Sequence, residues 1–218
     1  MDYVIIVAGG KGLRMGGDIP KQFLEVDGMP ILMRTINRFR EYSRQLRIIL
    51  VLPENQQSVW HSLCRKHSFD EDDLLIADGG QTRFHSVRNG LDIIRDDEEG
   101  IVGVHDGVRP FVSTQVIRSC YEEAGKHKAV VPTIPVAETL WHTDGFTIDR
   151  NKHVLGQTPQ TFSIALLKEA YRQPYEESFT DDASVVRSMG HHIMLIKGNP
   201  ENIKITTPYD LKIAEALV

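Results

Sequence analysis

The sequence is poor in cysteine. Cys64 and Cys120 are the only two, and their separation fits no metal spacing. That excludes a disulfide framework and makes a reducing compartment the simple expectation. Positive charge is not in surplus either. The formal net charge is −5, so sequence-independent attraction to nucleic acid is not expected, although a locally basic pocket is still allowed. No apolar run approaches the roughly 18 residues of a membrane-crossing helix, so no membrane partner is expected. An acidic residue and a strand open the sequence where a secretory signal would place a basic segment and an apolar core, and the expected location is the cytoplasm. Repeats, low-complexity tracts and flexible linkers are lacking as well. With 218 residues and 41% hydrophobic content, the expectation is one ordinary globular domain over 1–218 that needs no staples for its core.

Two familiar phosphate loops are missing. Lys11 is followed by Gly12, so no Gly-Lys-Ser/Thr closes a P-loop, and Met15 stands where the dinucleotide fingerprint needs its third glycine. In their place, residues 3–24 read YVIIVAGGKGLRMGGDIPKQFL. Tyr3 to Val7 is a short apolar, β-branched run, which suits a strand buried on both faces. It runs into Ala8-Gly9-Gly10-Lys11-Gly12, where the lack of side chains lets backbone N–H groups approach an anion. The cations Lys11, Arg14 and Lys21 follow. Glycine and fixed positive charge at the C-terminal end of a first strand suit the phosphates of a nucleotide. A plain glycine-rich turn with solvated lysines is the simpler alternative.

The rest alternates between strand and helix patterns. Apolar runs at 47–52, 74–77, 101–105, 129–133 and 193–196 read as strands, and periodic segments from 31, 54–67, from 84, 114–127 and 164–171 read as helices. Thr180 is the expected N-cap of a further helix, and Thr207-Pro208-Tyr209-Asp210 is a strong start signal for the last one. The fold class is therefore α/β, with a mainly parallel twisted sheet covered on both faces. Residues 134–153 interrupt the alternation. Two short segments around Asp144-Gly145 read as a hairpin arm projecting from the sheet. Asp106, at the end of the fourth strand, is placed either to hold a divalent metal beside phosphates or simply to cap the next turn. Lys204, taken singly, reads as a solvated lysine on an edge strand.

Ala8-Gly9-Gly10-Lys11-Gly12-Leu13-Arg14-Met15 with Pro20-Lys21-Gln22-Phe23 resembles the signature of the sugar-phosphate nucleotidyltransferases, in particular the cytidylyltransferases acting on polyol phosphates. Gly80, Arg83 and Ser86, the His105-Asp106-Gly107-Val108-Arg109-Pro110 segment, Thr158-Pro159-Gln160 and Lys204 extend the resemblance along the chain. It implies a Rossmann-like nucleotidyltransferase fold and transfer of CMP from CTP to a polyol phosphate, with pyrophosphate released and Mg²⁺ as cofactor. By the same resemblance, Arg14 and Lys21 stabilise the transition state, and Arg150 and Lys204 position the acceptor. Ala8, Gly9, Gly10, Gly12, Gly80, Arg83 and Ser86 contact the nucleotide. Asp106, Arg109 and Thr139 lie near the polyol phosphate, with Asp106 also linked to the metal. The hairpin arm is implied to exchange with a partner subunit in a homodimer.

Two acceptors fit these motifs, 2-C-methyl-D-erythritol 4-phosphate in non-mevalonate isoprenoid precursor synthesis and D-ribitol 5-phosphate. Thr180-Asp181-Asp182-Ala183-Ser184 resembles the former branch more, although an N-cap with acidic residues in the first turn explains that cluster structurally too. The chemistry needs no Ser/His/Asp triad, because the attacking phosphate is already ionised near pH 7. It needs cations where negative charge accumulates. A non-catalytic nucleotide-binding module would keep the glycine loop but could lose Arg14, Lys21 or Asp106, and all three are present. An NAD-dependent enzyme is disfavoured by Met15.

Overall fold

The computed structural model describes residues 1–9 and 19–218. Strand β1 (Tyr3–Val7) lies at the centre. Its side chains alternate between two cores. Val4 and Ile6 pack with residues of helices α1 (Ile31–Tyr42), α2 (Glu54–His67) and α4 (Thr114–His127), while Tyr3 and Ile5 pack with those of α3 (Arg83–Asp92), α5 (Ile164–Ala170) and α6 (Asp182–Ser188). A strand buried on both sides has no polar face to alternate with, hence the unbroken YVIIV.

Strands β4 (Arg47–Leu52) and β6 (Ile101–Asp106) flank β1 in parallel, and β5 (Leu74–Asp78) extends the sheet beyond β4. The chain thus steps from β1 to β4 and β5 on one side, then crosses to β6 on the other. Such a reversal opens a crevice at the C-terminal ends of the strands. On the far side stand β7 (Ala129–Pro135), β12 (Met194–Lys197), β10 (Val154–Gly156) and β11 (Gln160–Ser163). Val130 pairs with β11 on one edge and β12 on the other, and Thr133 likewise separates β10 from β12. So β10 and β11 run along the same edge of β7, joined through a cis Thr158–Pro159 peptide.

The expected β–α alternation fails here. β11 enters antiparallel between β6 and β7 because the chain returns from an excursion, not from a crossover helix. That excursion contains the hairpin of β8 (Leu140–Trp141) and β9 (Thr147–Ile148), turning at Asp144-Gly145 as the sequence leads one to expect. A small ribbon of β2 (Glu25–Val26) and β3 (Met29–Pro30) and the last helix, α7 (Pro208–Ala216), close a third apolar cluster around Val26, Val108 and Ile205. The expected Thr207–Asp210 capping box is present. One cap moves by a residue. Asp181, not Thr180, caps α6, because its carboxylate reaches Ser184 N while the Ser184 hydroxyl serves Asp181 N.

Candidate active site

The strand ends converge on a cavity of about 490 Å³. Sheet register sets Val7 beside Asp106 and Leu52 beside Asp78, so the loops after β1, β4, β5 and β6 all open at one level. Of the residues singled out in the sequence, Ala8, Gly9, Lys21, Gly80, Arg83, Ser86, Asp106 and Lys204 line this cavity. Gly10, Gly12 and Arg14 lie outside the described residues.

Lys21 begins a short 3-10 turn, Lys21–Phe23. The next residue, Gln22, is fully buried, and its amide donates to Ala8 O at 2.7 Å and to Gln56 Oε1 at 2.6 Å. Gln22 therefore ties the turn carrying Lys21 to the end of β1 and to the first turn of α2. Its fixed separation from the first strand in the Pro20-Lys21-Gln22-Phe23 segment was visible in the sequence, but its burial was not. Opposite, Ser86 accepts from Gly80 N at 3.0 Å and donates to Thr82 O at 3.0 Å, which folds the loop back on α3. A Cβ on Gly80 would stand 2.4 Å from His85 Cβ and 2.7 Å from its carbonyl carbon, so only glycine fits.

Among the described residues, Asp106 is the acidic one lining the cavity. Its Oδ2 takes Lys204 Nζ at 3.0 Å and Arg109 Nε at 3.1 Å, and Oδ1 lies 3.8 Å from Arg83 Nε. Burial works to raise the Asp106 pKa, but Arg83, Lys204 and Arg109 overcome it and hold the carboxyl well below the usual carboxylate range. The alternative of Lys204 as a solvated edge-strand lysine is corrected. Residues 202–206 form no strand, and the ammonium is ion-paired with Asp106.

Three expected positions are modified. Arg83, while lining the cavity, commits its guanidinium to a bidentate pair with the fully buried Asp182 at 2.9 and 2.6 Å, and Tyr171 donates to the same carboxylate at 2.6 Å. The Asp181-Asp182 cluster thus has its own structural work, capping α6 and anchoring Arg83. Thr139 and Arg150 are not brought to the cavity of their own chain. Both are exposed on the arm, and Arg150 donates to Ala137 O at its base. The physical reason is topological, since the arm leaves the sheet from β7, which β11 separates from β6 and the strand ends that line the cavity.

His105 and Thr158, which the sequence reading left without roles, brace Asp106 from behind. A backbone carbonyl can only accept, so the 3.1 Å contact of His105 Nε2 with Arg109 O places the imidazole proton on Nε2. Nδ1 must then accept from the Thr158 hydroxyl at 3.0 Å, and Thr158 Oγ1 in turn accepts from Asp106 N at 3.1 Å. Burial pushes the His105 pKa down to about 4. A histidine protonated more readily when unfolded lowers stability as pH falls below about 6.5, with the full loss reached near the folded pKa. The unfolding free energy should therefore drop by up to roughly 1.4 kcal/mol per pH unit between about pH 6.5 and 4 on this account. In His105→Gln that part of the slope should vanish. Urea unfolding at stepped pH measures it, and identical slopes would refute the assignment.

The Mg²⁺ expectation can be tested against these residues. Among the described residues no three His, Cys, Asp or Glu side chains gather into a metal cluster. A site of one carboxylate is nevertheless the kind Mg²⁺ uses when phosphate oxygens complete its shell. Asp106 fits that mode through Oδ1, since Oδ2 is taken by Lys204 and Arg109.

Comparison with known proteins agrees with this geometry. Residues 3–218 match a family model described as 2-C-methyl-D-erythritol 4-phosphate cytidylyltransferase. A protein of that name from Phocaeicola vulgatus is 59% identical over 220 residues, covering 99% of both chains. One from Bacteroides thetaiotaomicron is 59% identical over 218 residues, 99% of this chain and 98% of the other. Among solved structures, the crystal structure of 2-C-methyl-D-erythritol 4-phosphate cytidylyltransferase from Thermus thermophilus superposes with a TM-score of 0.79 at 32% identity, covering 100% of this chain and 98% of that one.

Proposed function

This chain belongs to the 2-C-methyl-D-erythritol 4-phosphate cytidylyltransferase family, and we propose that it works through the cavity at the ends of β1, β4, β5 and β6. It is a cytidylyltransferase of isoprenoid precursor synthesis. It transfers CMP from CTP to 2-C-methyl-D-erythritol 4-phosphate. An oxygen of the acceptor phosphate forms a bond to the α-phosphorus of CTP, the bond to the β-phosphate bridge breaks, and pyrophosphate leaves with that electron pair. The acceptor phosphate is ionised near pH 7, so no side chain has to remove a proton.

What the protein supplies is position and positive charge. Backbone at Ala8, Gly9 and Gly80, with Ser86 shaping the last, receives the nucleotide. Lys21 sits where two anions meet and offsets the charge of the crowded transition state, a role that Arg14, outside the described residues, would share. Lys204 and Arg109, paired to Asp106, hold the acceptor phosphate. Asp106 would be the protein ligand of a divalent cation, which when bound withdraws charge from the phosphate oxygens. Arg83 supports Asp106 from its pair with Asp182.

Thr139 and Arg150 reach an active site when the arm crosses to a partner subunit. Exposed apolar side chains on and beside the arm, Trp141 at 64% and Phe146 at 55%, support a homodimer through this element. No helix among the described residues is long and apolar enough to cross a membrane. Both cysteines are free and buried, which accords with a cytoplasmic location.

The observation that carries the reading is the meeting of Lys21, Asp106 and Lys204 at one cavity with the glycine loops. Pyrophosphate release from CTP and Mg²⁺ tests it, run in parallel with 2-C-methyl-D-erythritol 4-phosphate and D-ribitol 5-phosphate. Turnover is expected with the former, from a preparation that sediments as a dimer. Turnover only with ribitol phosphate would overturn the acceptor assignment, and a monomeric mass would remove the role of the arm.

A further inference from the structure

We infer that Asn202, together with Gln157, is a positioning residue that holds Lys204 and Arg109 against Asp106. The inference rests on the role proposed above for Lys204. Residues 198–206 belong to no helix or strand, yet they must present an ammonium at 3.0 Å from Asp106 and a carbonyl, Asn202 O, at 2.8 Å from Arg109 Nη1. Backbone bonds from Gly198 N to Thr133 O and from Ile205 N to Val108 O hold the two ends of this segment, and between them side chains tie it to the rest of the fold.

Those side chains are buried amides. Asn202 is fully buried, and its Nδ2 donates to Thr158 O at 2.8 Å. Gln157, 3% exposed, donates to Asn199 O at 2.9 Å and Asn202 O at 3.4 Å. The fit at Gly198 is close. A Cβ there would stand 2.2 Å from Gln157 Oε1, so a larger residue would have to displace this amide.

The same dipeptide also grips the other half of the ion pair. Thr158 offers its carbonyl to Asn202 and its hydroxyl to Asp106 N. Gln157 and Thr158 therefore clamp both the segment carrying Lys204 and the end of β6 carrying Asp106. Neither amide lines the cavity, so each acts through the groups it holds. Gln157 directly follows β10, the return strand of the arm, so the clamp forms where the arm rejoins the sheet.

The test is a double-mutant cycle in the full chain with CTP and 2-C-methyl-D-erythritol 4-phosphate, using Asn202→Ala, Lys204→Ala and the pair. Asn202→Ala is expected to lower kcat/KM for the acceptor on the order of 10²-fold, the effect of a small misplacement at a reacting centre, and to leave the Kd for CTP within about twofold. In the Lys204→Ala background it should cost clearly less than in the wild type, the remaining loss passing through Arg109. A loss of equal size in both backgrounds, with Lys204→Ala itself impaired, would overturn this inference alone, as would an equal fall in CTP affinity. Wild-type turnover by Lys204→Ala would overturn the role of Lys204 and this inference with it. If Asn202→Ala does not fold, Gln157→Met, which removes the donors to both carbonyls at similar size, carries the same cycle.

Discussion

Lys21→Ala is expected to lower kcat by on the order of 10²–10³, the usual loss when one fixed group facing transition-state charge is removed. The expectation follows from how the residue is held. Lys21 lines the cavity at the start of a 3-10 turn whose next residue, Gln22, is fully buried and tied to Ala8 O. A lysine on an anchored turn gives up little order when the substrates arrive, so its charge acts mainly on the anions that converge. Lys21 is only partly buried. Steady-state rates at saturating CTP and acceptor decide the matter. Full turnover by the variant would remove Lys21 from the mechanism.

Asp182→Asn is expected to lower the unfolding free energy by about 3–5 kcal/mol, because it leaves the Arg83 guanidinium largely buried with half its partner gone. The carboxylate is fully buried, with Arg83 at 2.9 and 2.6 Å and Tyr171 at 2.6 Å, so the variant disturbs a whole network. A buried ion pair is not itself strong evidence of stability, since desolvation offsets much of the attraction. Replacing both partners, as in Arg83→Met with Asp182→Leu, should therefore recover much of the loss in urea unfolding. Activity should not return with it, because Arg83 also faces Asp106 at 3.8 Å. A single variant as stable as the wild type would show that the pair does not hold this region.

Helix and strand positions were largely legible, and for a local reason. Glu54–His67 was legible from its apolar stripe and the preceding Pro53, Thr114–His127 in outline, and the box at Thr207–Asp210 from four adjacent residues. The misplacements occurred where two neighbours compete for one role, as Thr180 and Asp181 did, or where the chain returns from the arm and enters the sheet antiparallel. The glycine loops, Lys21 and Asp106 could be named as candidate site residues from type and order, and Lys204 only through the family resemblance. The roles of Gln22, His105, Gln157 and Asn202 could not, because a buried amide or imidazole looks like any other polar residue until its partners are known.

The sequence by itself determined the α/β class and the hairpin; it led one to expect an anion site in the loop after the first strand and, through the family resemblance, a chemistry that runs on cations without a base. Those follow from short-range facts: periodicity, glycine, capping pairs and the ionisation of phosphate. Only the tertiary structure decided which charges meet. Arg83 and Asp182 are 99 positions apart in the chain, and Lys204 reaches Asp106 from an irregular segment with no pattern to announce it. Contacts of that range depend on how strands order in the sheet and how buried amides hold a loop, and no local window of residues carries that information.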